Sequence, residues 1–70
     1  MRLSRRKIDI AMARKQMTVT QLAKAYGVSR ARINVVLNQR EVSTVSAGRM
    51  AEALGVDVTE ILEEEYGEFE

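Results

Sequence analysis

Twice in this chain a stretch with helical apolar spacing runs into a glycine, a valine and a residue able to cap a new helix. The two segments are Leu22-Ala-Lys-Ala-Tyr-Gly-Val-Ser29 and Met50-Ala-Glu-Ala-Leu-Gly-Val-Asp57. A glycine just past a helix adopts the left-handed conformation that ends it without a Cβ clash. A Ser or Asp two residues later accepts an orphan N–H of the next helix. The pattern therefore dictates short helices joined by tight turns. Its recurrence reads as shared stop–start chemistry, not as a solenoid repeat. Strand signals are nearly missing, with no Asn-Gly or Asp-Gly hairpin and few aromatics.

Punctuation of this kind predicts five helices. Ser4 caps a first helix through about Lys15, with Ile8, Ala11, Met12 and Lys15 on one stripe. Thr18-Val19-Thr20-Gln21 has the form of a capping box, which opens a second helix running to Tyr26 and stopping at Gly27. Ser29 caps a third helix through Leu37 or Asn38, and Ser43 a fourth that ends at Leu54 before Gly55. Gly48, inside the fourth helix, costs ~1 kcal/mol relative to alanine, and is either a tight packing point or a weak spot. Asp57 and Glu60 repeat the capping-box pattern and are expected to open a fifth helix through Ile61 and Leu62. The expected fold class is all-α, with one domain over residues 1–63 and a flexible acidic tail over residues 64–70.

The residue inventory excludes several kinds of function. Seventy residues without Cys, His, Pro or Trp make one small core that apolar packing alone must hold. Lacking His and Cys, the chain has no Ser–His or Cys–His nucleophile pair and no imidazole or thiolate metal site. Glu63, Glu64 and Glu65 are consecutive, so a helix would splay them around its surface and prevent them from converging on a cation. No enzyme activity, metal, cofactor or small-molecule ligand is expected. The apolar run Ile10-Ala11-Met12-Ala13 is far too short for a membrane span. Arg2, Arg5, Arg6 and Lys7 could open a secretory signal, but Asp9 and Arg14 break the apolar stretch that should follow. A cytoplasmic location is the expectation.

A near-neutral total conceals a division of charge. All eleven Lys and Arg residues lie within residues 1–49, where Asp9 and Glu41 are the sole acids, giving +9. Residues 50–70 hold eight acids and no base, giving −8. Segregation of this kind is the usual footprint of a nucleic-acid surface with an acidic part kept off it.

Residues 19–38 carry the functional signal. Two helices joined by three or four residues cross steeply only with a small residue where they touch, a glycine at the reversal and apolar groups facing the domain. Ala23 and Gly27 fill the first two roles, and Leu22, Tyr26, Val28, Ile33 and Val36 the third. This is the order a helix-turn-helix requires.

At about 100° per residue, Ile33, Val36 and Leu37 of the third helix share one arc, which must face the core. Ala31, Asn34, Val35 and Asn38 lie opposite, flanked by Arg30 and Arg32. An outward centre that is small and apolar, framed by arginines and asparagines, suits a major groove. Ala31 and Val35 can pack on thymine methyls, Asn34 can bond an adenine edge, and Arg30 can fork onto guanine O6 and N7, with Arg32 beside them. The free N–H groups at Thr18, Val19 and Thr20 make an anion site for a backbone phosphate. Gln21, Asn38, Gln39 and Arg40 flank the same groove. Arg5, Arg6, Lys7 and Lys24 are expected to add only diffuse attraction.

With these residues placed, the pattern Ile8…Met17-Thr18…Leu22-Ala23…Tyr26-Gly27-Val28-Ser29…Ile33…Leu37…Ala51…Ala53-Leu54-Gly55-Val56…Ile61-Leu62 resembles the Cro/CI (XRE-type) helix-turn-helix family over about residues 4–63. The resemblance implies a compact five-helix, lambda-repressor-like domain whose third helix enters the major groove. It also implies a homodimer on a pseudo-palindromic double-stranded DNA operator, acting as a transcriptional repressor. By position it assigns base contacts to Arg30, Ala31 and Val35, and phosphate contacts to the second helix start, Asn38 and Arg40. The chain departs from the family pattern at Val19, where many members have a glutamine, at Met12, often an arginine, and at Val42, often a proline. The stretch Val28-Ser29-Arg30-Ala31…Val36-Leu37-Asn38 also resembles LacI-type headpieces, but the helix before the motif favours the Cro-like reading. Residues 54–70 are the expected dimer seam. The alternative function is a protein-interaction module, antirepressor or antitoxin-like, engaging a partner through the acidic tail with Tyr66 and Phe69.

Overall fold

Each α-helix begins where a side chain closes its first turn. In a computed structural model that describes residues 1–39 and 41–63, α1 spans Arg5–Arg14, α2 Val19–Tyr26, α3 Arg30–Leu37 and α4 Thr44–Leu54. Ser4 Oγ accepts the Lys7 N–H at 3.2 Å, Ser29 Oγ the Arg32 N–H at 3.1 Å, and Ser43 Oγ the Ser46 N–H at 3.1 Å. At the start of α2 the capping box is complete. Thr18 Oγ1 accepts from the Gln21 N–H at 3.1 Å, and Gln21 Oε1 from the Thr18 N–H at 2.8 Å.

The two repeated segments end as their chemistry dictates. Gly27 has φ 98° and Gly55 φ 71°, both left-handed. Past each glycine the valine turns its N–H back into the helix just ended, Val28 to the Ala23 carbonyl and Val56 to the Ala51 carbonyl, both at 3.0 Å. Both valines are half-buried against the core.

The fifth helix does not form. In its place is a single 3-10 turn, Val58–Glu60, so the domain has four α-helices among the described residues. Asp57 accepts the Thr59 N–H at 3.0 Å and the Thr59 hydroxyl, two residues on, where a capping box would need the residue three along. Glu60 instead pairs with Arg14 at 3.8 Å. Beyond it Leu62 makes an isolated antiparallel bridge with Leu3. The Ser4 N–H donates to the Ile61 carbonyl at 2.7 Å and the Glu63 N–H to the Arg2 carbonyl at 3.0 Å. Backbone groups spent on this pairing cannot also serve a helix.

Ile8, Leu22, Ile33, Met50, Leu54 and Ile61 are the largest fully buried side chains. Leu3 and Val42, outside every helix, are buried with them. Val42 donates its N–H to the Met1 carbonyl at 2.8 Å, a bond that a proline at this position would abolish. Lys15 is exposed and caps the end of α1, so it does not continue the buried stripe of Ile8, Ala11 and Met12. Its side chain lies over Gly55. Gly48 has open space where a Cβ would stand; of its two readings, the weak spot is correct.

Two outcomes follow for stability. Gly48→Ala should raise it by about 1 kcal/mol, read as a higher urea midpoint with an unchanged slope. The second concerns pH. The Thr59 hydroxyl and then its N–H hold the Asp57 carboxyl below its ordinary 3.8, against a small desolvation effect. A carboxyl pKa depressed by folding stabilises the native state fully above the unfolded value and less as pH falls through the folded one. The stability difference between the native protein and Thr59→Val should therefore stay constant near neutrality and narrow below pH 3.8. A difference that stays constant down to acid unfolding would show that the hydroxyl does not tune this carboxyl.

Candidate nucleic-acid interface

The interface is built on α2 and α3, which pack on one another and, through α2, on α4. Leu22, Ala23 and Tyr26 point inward from α2, and Ile33, Val36 and Leu37 from α3. Since the inner arc of α3 is used up in the core, its remaining residues have no neighbour to cover them. Arg30, Ala31, Arg32, Asn34, Val35, Asn38 and Gln39 are all exposed. Val35 is 47 % exposed, an apolar side chain turned to solvent between polar ones.

The start of α2 lies in the same two-helix unit. Accounting for its first N–H groups corrects one expectation. The Thr18 N–H is spent on Gln21 and the Gln21 N–H on Thr18, so neither is free for an anion. Val19 and Thr20 keep N–H groups with no acceptor among the described residues, and these carry the positive end of the helix dipole. The Val19 side chain is half-buried against the core, so this residue offers only its backbone. Gln21 uses its amide oxygen in the box and retains an NH₂ that can donate outward.

Ion pairing is unevenly distributed. Among the described residues, carboxylates meet cations at the N-terminal segment and α1: Arg2 with Glu41 at 3.8 Å and Glu63 at 4.0 Å, Arg5 with Asp9 at 3.1 Å, and Arg14 with Glu60. Lys24 on α2 and Arg30 and Arg32 on α3 have no carboxylate partner among the described residues. The helix-turn-helix thus keeps its positive charge without a carboxylate among the described residues, as do Arg6, Lys15 and Arg49 outside it. Arg40 and the acidic segment 64–70, with Tyr66 and Phe69, lie outside the described residues.

Arg49 escapes the sequence reading, which counts it only as one of eleven charges. It stands on α4, and its Nη2 donates to the Tyr26 carbonyl at 2.6 Å across 23 residues of sequence. The guanidinium carbon lies 4.4 Å from the centre of the Tyr26 ring. No local pattern announces such a contact, because its partner is a main-chain oxygen on another helix. Met12 is buried and serves packing.

Among the described residues no group of His, Cys, Asp or Glu is arranged to hold a metal ion, and no helix is long and apolar enough to cross a membrane. No curated protein and no solved structure matches the chain. A family model described as Cro/C1-type HTH DNA-binding domain matches residues 7–65. That span takes in the capping box, the Gly27 reversal, the outward face of α3 and the Gly55 terminator, and on it the chain belongs to the Cro/C1-type helix-turn-helix DNA-binding family.

Proposed function

We propose that this protein is a sequence-specific regulator of transcription, a Cro/CI-like repressor that binds a pseudo-palindromic operator as a homodimer. The observation that carries the reading is the outward face of α3, where Ala31 and Val35 stand exposed between Arg30, Arg32 and Asn34 while Ile33, Val36 and Leu37 are buried. In the major groove Ala31 and Val35 meet thymine methyls. Asn34 bonds an adenine edge, Arg30 forks onto a guanine, and Arg32 reads or clamps at the flank.

Backbone contacts set the register. One phosphate sits on the Val19 and Thr20 N–H groups, with the Thr18 hydroxyl and the Gln21 NH₂ donating to it from either side. Asn38, Gln39 and Arg40 hold phosphates at the other end of α3. An α3 of eight residues reads few base pairs; two copies about 34 Å apart, one turn of the duplex, supply the rest of the specificity. Half-buried Val56, Val58 and Leu62 favour the region after α4 as the seam between copies. Seated across a promoter, such a dimer represses by occupying the site polymerase needs.

The test is affinity for duplexes selected from a random pool, measured against salt. Several neutralised phosphates predict a steep linear fall of log affinity with log salt. Arg30→Ala should cost about 1–3 kcal/mol on the selected duplex and almost nothing on a scrambled one. Equal affinity for selected and scrambled duplexes at low salt, or a flat salt slope, sinks the reading.

A further inference from the structure

We propose that Arg49 is a positioning residue for recognition: from α4 it fixes the angle at which α3 is offered to DNA. The inference rests on the DNA-binding reading above and adds a residue that touches no base.

Hydrogen-bond accounting at the reversal comes first. The last carbonyls of a helix have no amide of their own to accept. At the end of α2 the Gly27 and Val28 N–H groups both turn to the Ala23 carbonyl. The Tyr26 carbonyl, the last in the helix, is left for a donor from elsewhere, and Arg49 Nη2 supplies it at 2.6 Å.

The same guanidinium makes two further contacts. It faces the ring of Tyr26 at 4.4 Å, and Tyr26 is itself only 6 % exposed. A Cβ added to Gly27 would stand 3.4 Å from the same Nη2, so the backbone of the turn runs directly beneath the group. A planar fork that bonds a carbonyl, stacks on a ring and abuts a glycine fixes orientation as well as distance. An ammonium on a flexible stem supplies charge and a bond without that fixed orientation.

The turn needs such an anchor. Val28, its middle residue, is only half-buried and Ser29 is exposed, so although Ile33, Val36 and Leu37 seat α3 in the core, little burial holds the turn from which it starts. By contrast α4 is firmly seated through Ala47, Met50, Ala51 and Leu54, and Arg49 carries that reference to the turn. At 1.5 Å per residue α3 is about 12 Å long, so a tilt of about 10° moves its far end by about 2 Å. A hydrogen bond to a base edge does not survive such a shift.

The experiment compares the native protein with Arg49→Lys, which keeps the charge, and Arg49→Met, which keeps most of the stem. Affinities for the selected and a scrambled duplex are measured at a temperature where circular dichroism shows all three folded. Both variants should lose about tenfold in the ratio of selected to scrambled affinity, roughly one base contact, with scrambled affinity and salt slope unchanged. Amide resonances of Arg30–Val35 should move in both variants in the absence of DNA. Full retention of the ratio by Arg49→Lys overturns the proposal, because charge alone then suffices. Uniform weakening on both duplexes with a shallower salt slope overturns it too, marking Arg49 as a phosphate contact. If the native protein itself does not discriminate the duplexes, the DNA reading fails first and this inference with it.

Discussion

The reversal at Gly27 is the constraint on which the rest of the molecule depends. A residue at φ 98° brings the N–H groups of Gly27 and Val28 onto one carbonyl and sends the chain back across the helix it has just left. Ala23, which accepts both bonds and is itself buried, is small enough for α3 to pass close by. Once α2 and α3 are fixed in this way, their apolar arcs converge on one side, and α1 and α4 need only cover a surface that already exists. Any side chain at position 27 meets a strained backbone conformation, with the Arg49 guanidinium at ordinary contact distance. The turn is therefore determined first by conformation.

The devices that fold the chain also determine what is left over for a ligand. Capping removes the Thr18 and Gln21 N–H groups from the start of α2 and leaves those of Val19 and Thr20 pointing out of the helix. Burial removes Ile33, Val36 and Leu37 from α3 and leaves the arc through Ala31, Asn34 and Val35. Acidic side chains pair with cations at the N-terminal segment and α1, leaving those of α2 and α3 uncompensated among the described residues. A ligand with regular negative charge and a patterned polar edge meets all three leftovers at once. A neutral or acidic protein partner meets one or two of them.

What the sequence makes legible is what short-range chemistry decides. Ser4, Thr18, Ser29 and Ser43 act as caps, and Gly27 and Gly55 as terminators, because each role depends on residues within three or four positions. The division of α3 into an inner and an outer face follows from spacing alone. The fifth element shows where local logic divides. Asp57 can cap through the third residue or fold back on the second, and the choice falls to the second because the Ile61 carbonyl is held by the Ser4 N–H and Leu62 by its bridge to Leu3. Leu3 and Val42 belong to no periodic segment, so nothing near them in sequence marks them as core. Arg49 is hidden for the same reason, its partner lying 23 residues away. Gly48 was ambiguous because a glycine in a helix looks the same whether something crowds it or nothing does.

Among the four α-helices the weakest amphipathy lies in α3, and the proposed function accounts for it. A helix stabilised only by its place in a bundle gains from long charged groups on its outer face, which solvate well and can pair along it. In α3 that face instead holds an alanine and a valine at its centre, and Val35 remains 47 % exposed. An isolated exposed valine is common on protein surfaces. Here, however, it shares one arc with Ala31 and Asn34, between two arginines that no described carboxylate neutralises. For the free protein alone, replacing these residues with glutamates and lysines would improve solubility and local helix stability. On the proposed reading such a face is covered in the complex: duplex DNA offers methyl groups, base-edge acceptors and phosphates within the width of a single helix. On that reading, the same surface that makes α3 a poor bundle helix makes it a good reader.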